Sequence, residues 1–125
     1  MLWKQILYVA SGGAAGSVLR FLCQRYLSSV FQHPFPAGTF FVNLSGCLLI
    51  GLLAGIFPGK NPGAADMRLL LMTGFCGGFT TFSAFGLEGL QLIQQQRFMI
   101  FFLYFAASIL LGLAATFTGI WIATR

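Results

Sequence analysis

Residues 73–88 read TGFCGGFTTFSAFGLE and hold the side chains best suited to chemistry. Phe82, Phe85 and Glu88 are spaced by three, so on a helix they share a face. An aromatic ring has a negative face and a positive edge. Ring edges turned into a narrow path contact a small anion, whereas ring faces favour cations. With 15 phenylalanines in the chain, ordinary packing bulk is the competing reading. Glu88 is the only glutamate. An ionisable group inside an apolar helix points to function, unless it lies far enough along to reach water or an arginine.

The same stretch pairs two glycines, Gly77 and Gly78, with two threonines, Thr80 and Thr81. Glycine costs a helix about 1 kcal/mol relative to alanine, and threonine is stiff at its first torsion. A break over Gly77 to Thr80 would free backbone carbonyls at mid-membrane depth. Such backbone is tolerated only where it is buried in protein or lines a cavity, and freed carbonyls coordinate cations. Alternatively, Gly74 and Gly78 form a face for close helix packing.

The elements that position these residues follow from composition. At 125 residues the length allows one domain. Hydrophobic residues make up 58% and charged residues 7%, against about 25% charged in soluble domains. The apolar residues fall in long blocks, as membrane helices require. The expectation is an all-α membrane protein with one domain of four transmembrane helices over about 2–29, 36–57, 67–96 and 98–124, the third broken near its middle. The N-terminal block resembles a signal peptide, but three more blocks follow it, so it reads as a first span.

The net charge of +5 does not imply nucleic acid. Lys4, Lys60, Arg68, Arg97 and Arg125 sit singly at block ends, where snorkelling anchors belong; a nucleic-acid footprint needs a basic stripe. Cys23, Cys47 and Cys76 share no metal-ligand spacing and read as small packing residues. His33 lies between prolines and block one, in a loop. No nucleophile–base pair, metal cluster or phosphate loop is present, which argues against an enzyme.

Within the blocks, Gly12 and Gly16 form one small-residue face, and Cys47, Gly51 and Gly55 a second. Arg20 interrupts an apolar run, at about 2.5–3.5 kcal/mol on insertion scales. It either snorkels to the interface or serves an anion-attracting vestibule or a partner carboxylate. Asn43 needs partners for its amide, through an interhelical hydrogen bond or by facing an anion. Pro36 suits a first helical turn, and Asp66 suits a helix start. Tyr104, Ser108, Gly112 and Thr116 repeat every four residues on block four, as a packing face or as a polar track. Four spans place Lys4, Lys60, Arg68 and Arg125 on one side, and Arg25 and Arg97, with Arg20 nearer them, on the other. A count so nearly balanced gives weak orientation and permits insertion both ways, which would allow an antiparallel homodimer.

GGFTTFSAFGLE resembles the GG-(F/L)-TTFS-x-F-x-x-E signature of the Fluc-type fluoride channels, formerly described as camphor-resistance or chromosome-condensation membrane proteins. GGAAGSVLR and PAGTFFVNLSGCLLIG are similar to that family's glycine-rich opening with its arginine and to its G-T-x-x-x-N-x-x-G region. The resemblance covers the whole chain. It implies an antiparallel, dual-topology homodimer with two pores in a bacterial inner membrane, exporting cytoplasmic fluoride passively. By the same resemblance Phe82 and Phe85 meet fluoride through their ring edges. Asn43, Ser83, Tyr104, Ser108, Thr116 and Glu88 belong to the pore, and Arg20 to its vestibule. Carbonyls of Gly77 and Thr80 hold a structural sodium ion at the dimer centre.

Three positions depart from the family pattern. Ala84, Gly86 and Gly112 stand where hydroxyl residues are usual, which opens the alternative of a heteromeric partner subunit. The rival class is a small multidrug-resistance-like coupled transporter. Its chemistry needs a carboxylate in the first helix, where this chain has Arg20 and no Asp or Glu.

Overall fold

Four helical spans follow the four apolar blocks. The computed structural model describes residues 1–59 and 61–125. Lys60, expected in the loop after the second span, lies outside the described residues. The spans are Leu2–Val30, Ala37–Ile56, Pro62–Gln94 and Phe98–Ala123, each long and apolar enough to cross a membrane. We label them α1 (Leu2–Val30), α2 (Ala37–Ile56), α3 (residues 65–79), α4 (Phe82–Gln94) and α5 (Phe98–Ala123), the third span comprising α3 and α4.

The turns sit where proline and short polar side chains dictate. Phe31 leaves the helical region at the end of α1, and the His33–Pro36 loop follows. There the Phe35 N–H donates to His33 Nδ1 at 3.0 Å. Pro36 is the residue before α2 rather than part of its first turn. The Gly63 N–H donates to Asn61 Oδ1 at 3.1 Å, capping the single 3-10 turn Pro62–Ala64. Asp66 lies in the first turn of α3 and pairs with Lys4 at 3.3 Å. Arg68 Nη1 donates to the Phe57 carbonyl. These two contacts tie the start of α1, the end of α2 and the start of α3 together at one end of the bundle. The α4–α5 turn is closed by Gln96 at φ 59°, with the Arg97 N–H donating to the Leu92 carbonyl at 2.8 Å. This is the left-handed cap usually given to glycine.

Small residues set how closely the helices approach. A Cβ on Gly12 would overlap the Leu70 carbonyl, and one on Gly16 the Phe75 carbonyl. From α3, a Cβ on Gly78 would lie 2.5 Å from the Gly13 oxygen, and one on Gly74 2.9 Å from the Val9 oxygen. The backbones of α1 and α3 therefore touch. Gly51 meets the Thr116 carbonyl, and a Cβ on Gly55 would lie 2.6 Å from that of Ala123. Both small-residue faces thus bind within this chain, α1 to α3 and α2 to α5.

Two features of α3 differ from the sequence expectation. Residues Arg68–Cys76 are wound as a π-helix. The break also falls later than Gly77-Gly78: Gly77–Phe79 is still helical, and only Thr80 (φ −83°, ψ 157°) and Thr81 (φ −146°, ψ 119°) are extended. Gly78 is kept for its contact with α1, while the stiff, β-favouring threonines take the extended conformation.

The buried core is aromatic. Tyr104 has no exposed surface, and Phe85 and Leu92 pack with it, surrounded by Phe35, Phe40, Phe101 and Phe105. Trp3, Phe21, Phe102, Leu110 and Phe117 are bare on the outside, the surface a bilayer covers.

Candidate functional site

The break at Thr80-Thr81 organises the site. Thr81 leaves the helical ladder, and its backbone is taken over by Asn43 of α2. The Thr81 N–H donates to Asn43 Oδ1 at 2.7 Å, and Asn43 Nδ2 donates to the Thr81 carbonyl at 3.0 Å. A carboxamide offers one acceptor and one donor group, so it substitutes for a strand partner. This is the interhelical hydrogen bond that a buried amide requires. Gly46, one turn further along α2, makes room for the Thr80 methyl, which a Cβ there would overlap.

Freed carbonyls find separate fates. Arg20 Nε donates to the Gly78 carbonyl at 3.0 Å, and Ser17 Oγ lies 3.4 Å from the same oxygen. Arg20 therefore reaches the broken end of α3 from α1. In an unbroken helix the Gly77 carbonyl would accept from Thr81, whose N–H is committed to Asn43. The Thr80 carbonyl would accept from Ala84, whose N–H is committed to Thr81 Oγ1 at 3.2 Å, the cap of α4. Both carbonyl-bearing residues line one cleft of about 440 Å³.

Phe82 and Phe85 line that same cleft with Asn43 and Ser108. Their ring centroids are 5.9 Å apart, inclined at 49°. Their environments differ sharply: Phe82 is 83% exposed and Phe85 is 8% exposed. Phe85 stacks on Phe105 at 4.1 Å and meets Tyr104 edge-on at 5.1 Å. Stacking occupies a face of the Phe85 ring. Ser108 Oγ is buried without a hydrogen-bond partner among the described residues. The Thr116 hydroxyl donates to the Gly112 carbonyl of its own helix at 3.0 Å. Ser83 is exposed beside the break, 3.3 Å from Thr81 Oγ1.

Glu88 lies two turns beyond Phe82, at a second cleft of about 440 Å³ lined by polar groups that include Gln24, Thr39, Gln91 and Gln95. Thr39 Oγ1 donates to Glu88 Oε2 at 2.9 Å, and the Tyr104 hydroxyl reaches Oε1 at 3.4 Å. Gln24 Nε2 donates to Thr39 Oγ1 at 3.0 Å. The break and Glu88 thus lie at two separate clefts, with Phe85 of the first packed on Tyr104, whose hydroxyl reaches Glu88 of the second.

The chain matches the family described as CrcB-like protein, Camphor Resistance (CrcB), over residues 7–120. This protein belongs to the CrcB-like family. A relative from Flavobacterium psychrophilum is 48% identical over 120 residues, covering 96% of this chain and 97% of the relative. One from Rhizobium etli is 44% identical over 93% of both chains. One from Leptospira interrogans is 39% identical over 94% of this chain and 93% of the relative. All three relatives bear the name fluoride-specific ion channel FluC, the name of a channel and not of an enzyme.

Thr39, Gln24 and Ser17 join the site although none was a candidate site residue on sequence grounds. Thr39 had a signal: it precedes Asn43 by one turn, so both hydroxyl and amide face the third span. Ser17 and Gln24 had one too: with Arg20 they are spaced by three and four, a polar face on α1. Among the described residues no three His, Cys, Asp or Glu side chains cluster as a metal site. A cation at the break would be held by carbonyl oxygens, which suit hard cations.

Proposed function

We propose that this CrcB-like protein is a fluoride-selective channel giving passive export of cytoplasmic fluoride across a bacterial inner membrane. The name shared by its relatives supports the ion. The observation that carries the reading is the cleft that joins Phe82, Phe85 and the unpartnered Ser108 hydroxyl. A buried donor without a partner costs free energy that a passing anion recovers, and ring edges add positive potential without a fixed charge to trap the ion. Conduction needs sites favourable enough to enter and weak enough to leave. Asn43, Ser83, Tyr104, Thr116 and Glu88 complete the path, with Arg20 near its mouth.

The working unit is two copies in antiparallel orientation with two pores. The weak charge asymmetry and the exposed Phe82 support this, since that ring awaits a covering surface. The Gly77 and Thr80 carbonyls, which have lost their helical donors, would hold a structural sodium ion at the dimer centre. Bound there, the ion supplies positive charge between two broken helices. Ala84, Gly86 and Gly112, standing where hydroxyl residues are usual, keep a heteromeric partner subunit as the alternative.

The test is ion efflux from liposomes containing the purified protein. Fluoride leaves and chloride stays. Equal loss of both ions would overturn the selectivity.

A further inference from the structure

Gln24, Thr39, Glu88 and Tyr104 form one hydrogen-bonded chain across α1, α2, α4 and α5. Thr39 is its hinge. A hydroxyl carries a single proton, and a carboxylate only accepts. With that proton on Glu88 at 2.9 Å, Thr39 can only accept from Gln24 at 3.0 Å. The Gln24 amide must therefore present its nitrogen, as the network fixes it. Thr39 is 3% exposed, so solvent does not replace this donor.

Several other hydroxyls bond locally. Those of Ser45, Thr116, Thr118 and Thr124 each donate to the carbonyl four residues back. That local bond is the default for such residues. Thr39 is the third residue of α2, so no helical carbonyl lies four residues back, and its proton is free for Glu88 while Gln24 donates to its oxygen. α1 and α2 are in contact here: a Cβ on Gly38 would lie 3.4 Å from the Gln24 Cα, an ordinary van der Waals distance.

We propose that Gln24 is a positioning residue of the pore. By donating to Thr39 it commits the Thr39 proton to Glu88, and so pins the carboxylate beside Tyr104 instead of leaving a mobile negative charge in the polar cleft. An entering anion then meets amide and hydroxyl groups whose directions are set. The inference rests on the channel reading above.

Glu88 is the only glutamate, so isotope-labelled glutamate gives an infrared carboxyl band that belongs to it alone. We expect Q24L to shift that band, T39V to shift it, and the double variant to add nothing to T39V. Fluoride flux falls at least about threefold in Q24L, as for one lost hydrogen bond, and does not fall further when Q24L is added to T39V. A band unmoved by Q24L overturns the relay. If Q24L lowers flux equally with and without T39V, Gln24 is reduced to packing. A shifted band with unchanged flux removes its role in the pore. Wild-type liposomes that release no fluoride overturn the channel reading, and the infrared bands still decide the relay.

Discussion

The Asn43 side chain pairs with the Thr81 backbone at both ends, accepting at 2.7 Å and donating at 3.0 Å. One amide thereby satisfies the Thr81 N–H that the break takes from the Gly77 carbonyl, and binds the Thr81 carbonyl as well. Asn43→Leu leaves that N–H without its partner. It should cost about 2 kcal/mol or more, read as unfolding of the purified protein in detergent. A change below about 0.5 kcal/mol would show that the pair is dispensable.

The two phenylalanines should separate stability from flux. Phe85→Ala empties part of the aromatic core and should cost about 3–5 kcal/mol. Phe82→Ala, on a ring exposed in the single chain, should change the stability of that chain's own fold by about 0.5 kcal/mol or less and act instead on the contact with the second copy. Replacement of either by isoleucine should lower fluoride flux while dimers still form. Normal flux in both isoleucine variants would remove the ring-edge argument.

The glycines of the third span should divide by contact. Gly86 faces open space, so Gly86→Ala should stabilise the protein by about 0.5–1 kcal/mol. Gly89→Ala would place its Cβ 2.5 Å from the Phe105 ring and should lower stability by about 1–3 kcal/mol. Thermal unfolding of the two variants checks the order.

Gln96 holds a left-handed backbone at φ 59°. Gln96→Gly relieves that strain, offset in part by the greater freedom of the unfolded chain, for a net gain of about 0.5 kcal/mol. A lower melting temperature would place a needed contact in the Gln96 side chain.

Exchange of sodium for a large organic cation should lower the melting temperature. The stabilisation lost is about 2.7 kcal/mol where sodium stood at about a hundred times its dissociation constant. Indifference to sodium would sink the carbonyl site.

What could be read from the residues was whatever repeats. Four apolar blocks announce four spans to within a few residues, and Gly12 with Gly16 or Gly51 with Gly55 announces a close-packed face. The need for a partner was also visible at Arg20, Asn43 and Glu88, because a lone polar group in lipid is costly. Its identity was not. Arg20 finds a carbonyl 58 residues away and Asn43 a peptide 38 residues away, distances over which no periodicity speaks. The π winding of Arg68–Cys76 was invisible for a different reason. It adapts to the α1 backbone lying against Leu70 and Phe75, and no side-chain pattern marks the wider turn. The break lies a few residues beyond the point the glycines suggest, because glycine serves flexibility and close packing alike, and at Gly78 packing prevails.

Two extended residues at Thr80-Thr81 have an electrostatic consequence of their own. They set the carbonyl end of α3 and the N–H end of α4 within a few residues of each other, at the meeting of two macrodipoles. The first end carries partial negative charge and the second partial positive charge. A single interruption of the chain thus makes a cation-favouring pole and an anion-favouring pole while adding no net charge to the membrane interior. The two poles share one hinge, so whatever displaces one displaces the other.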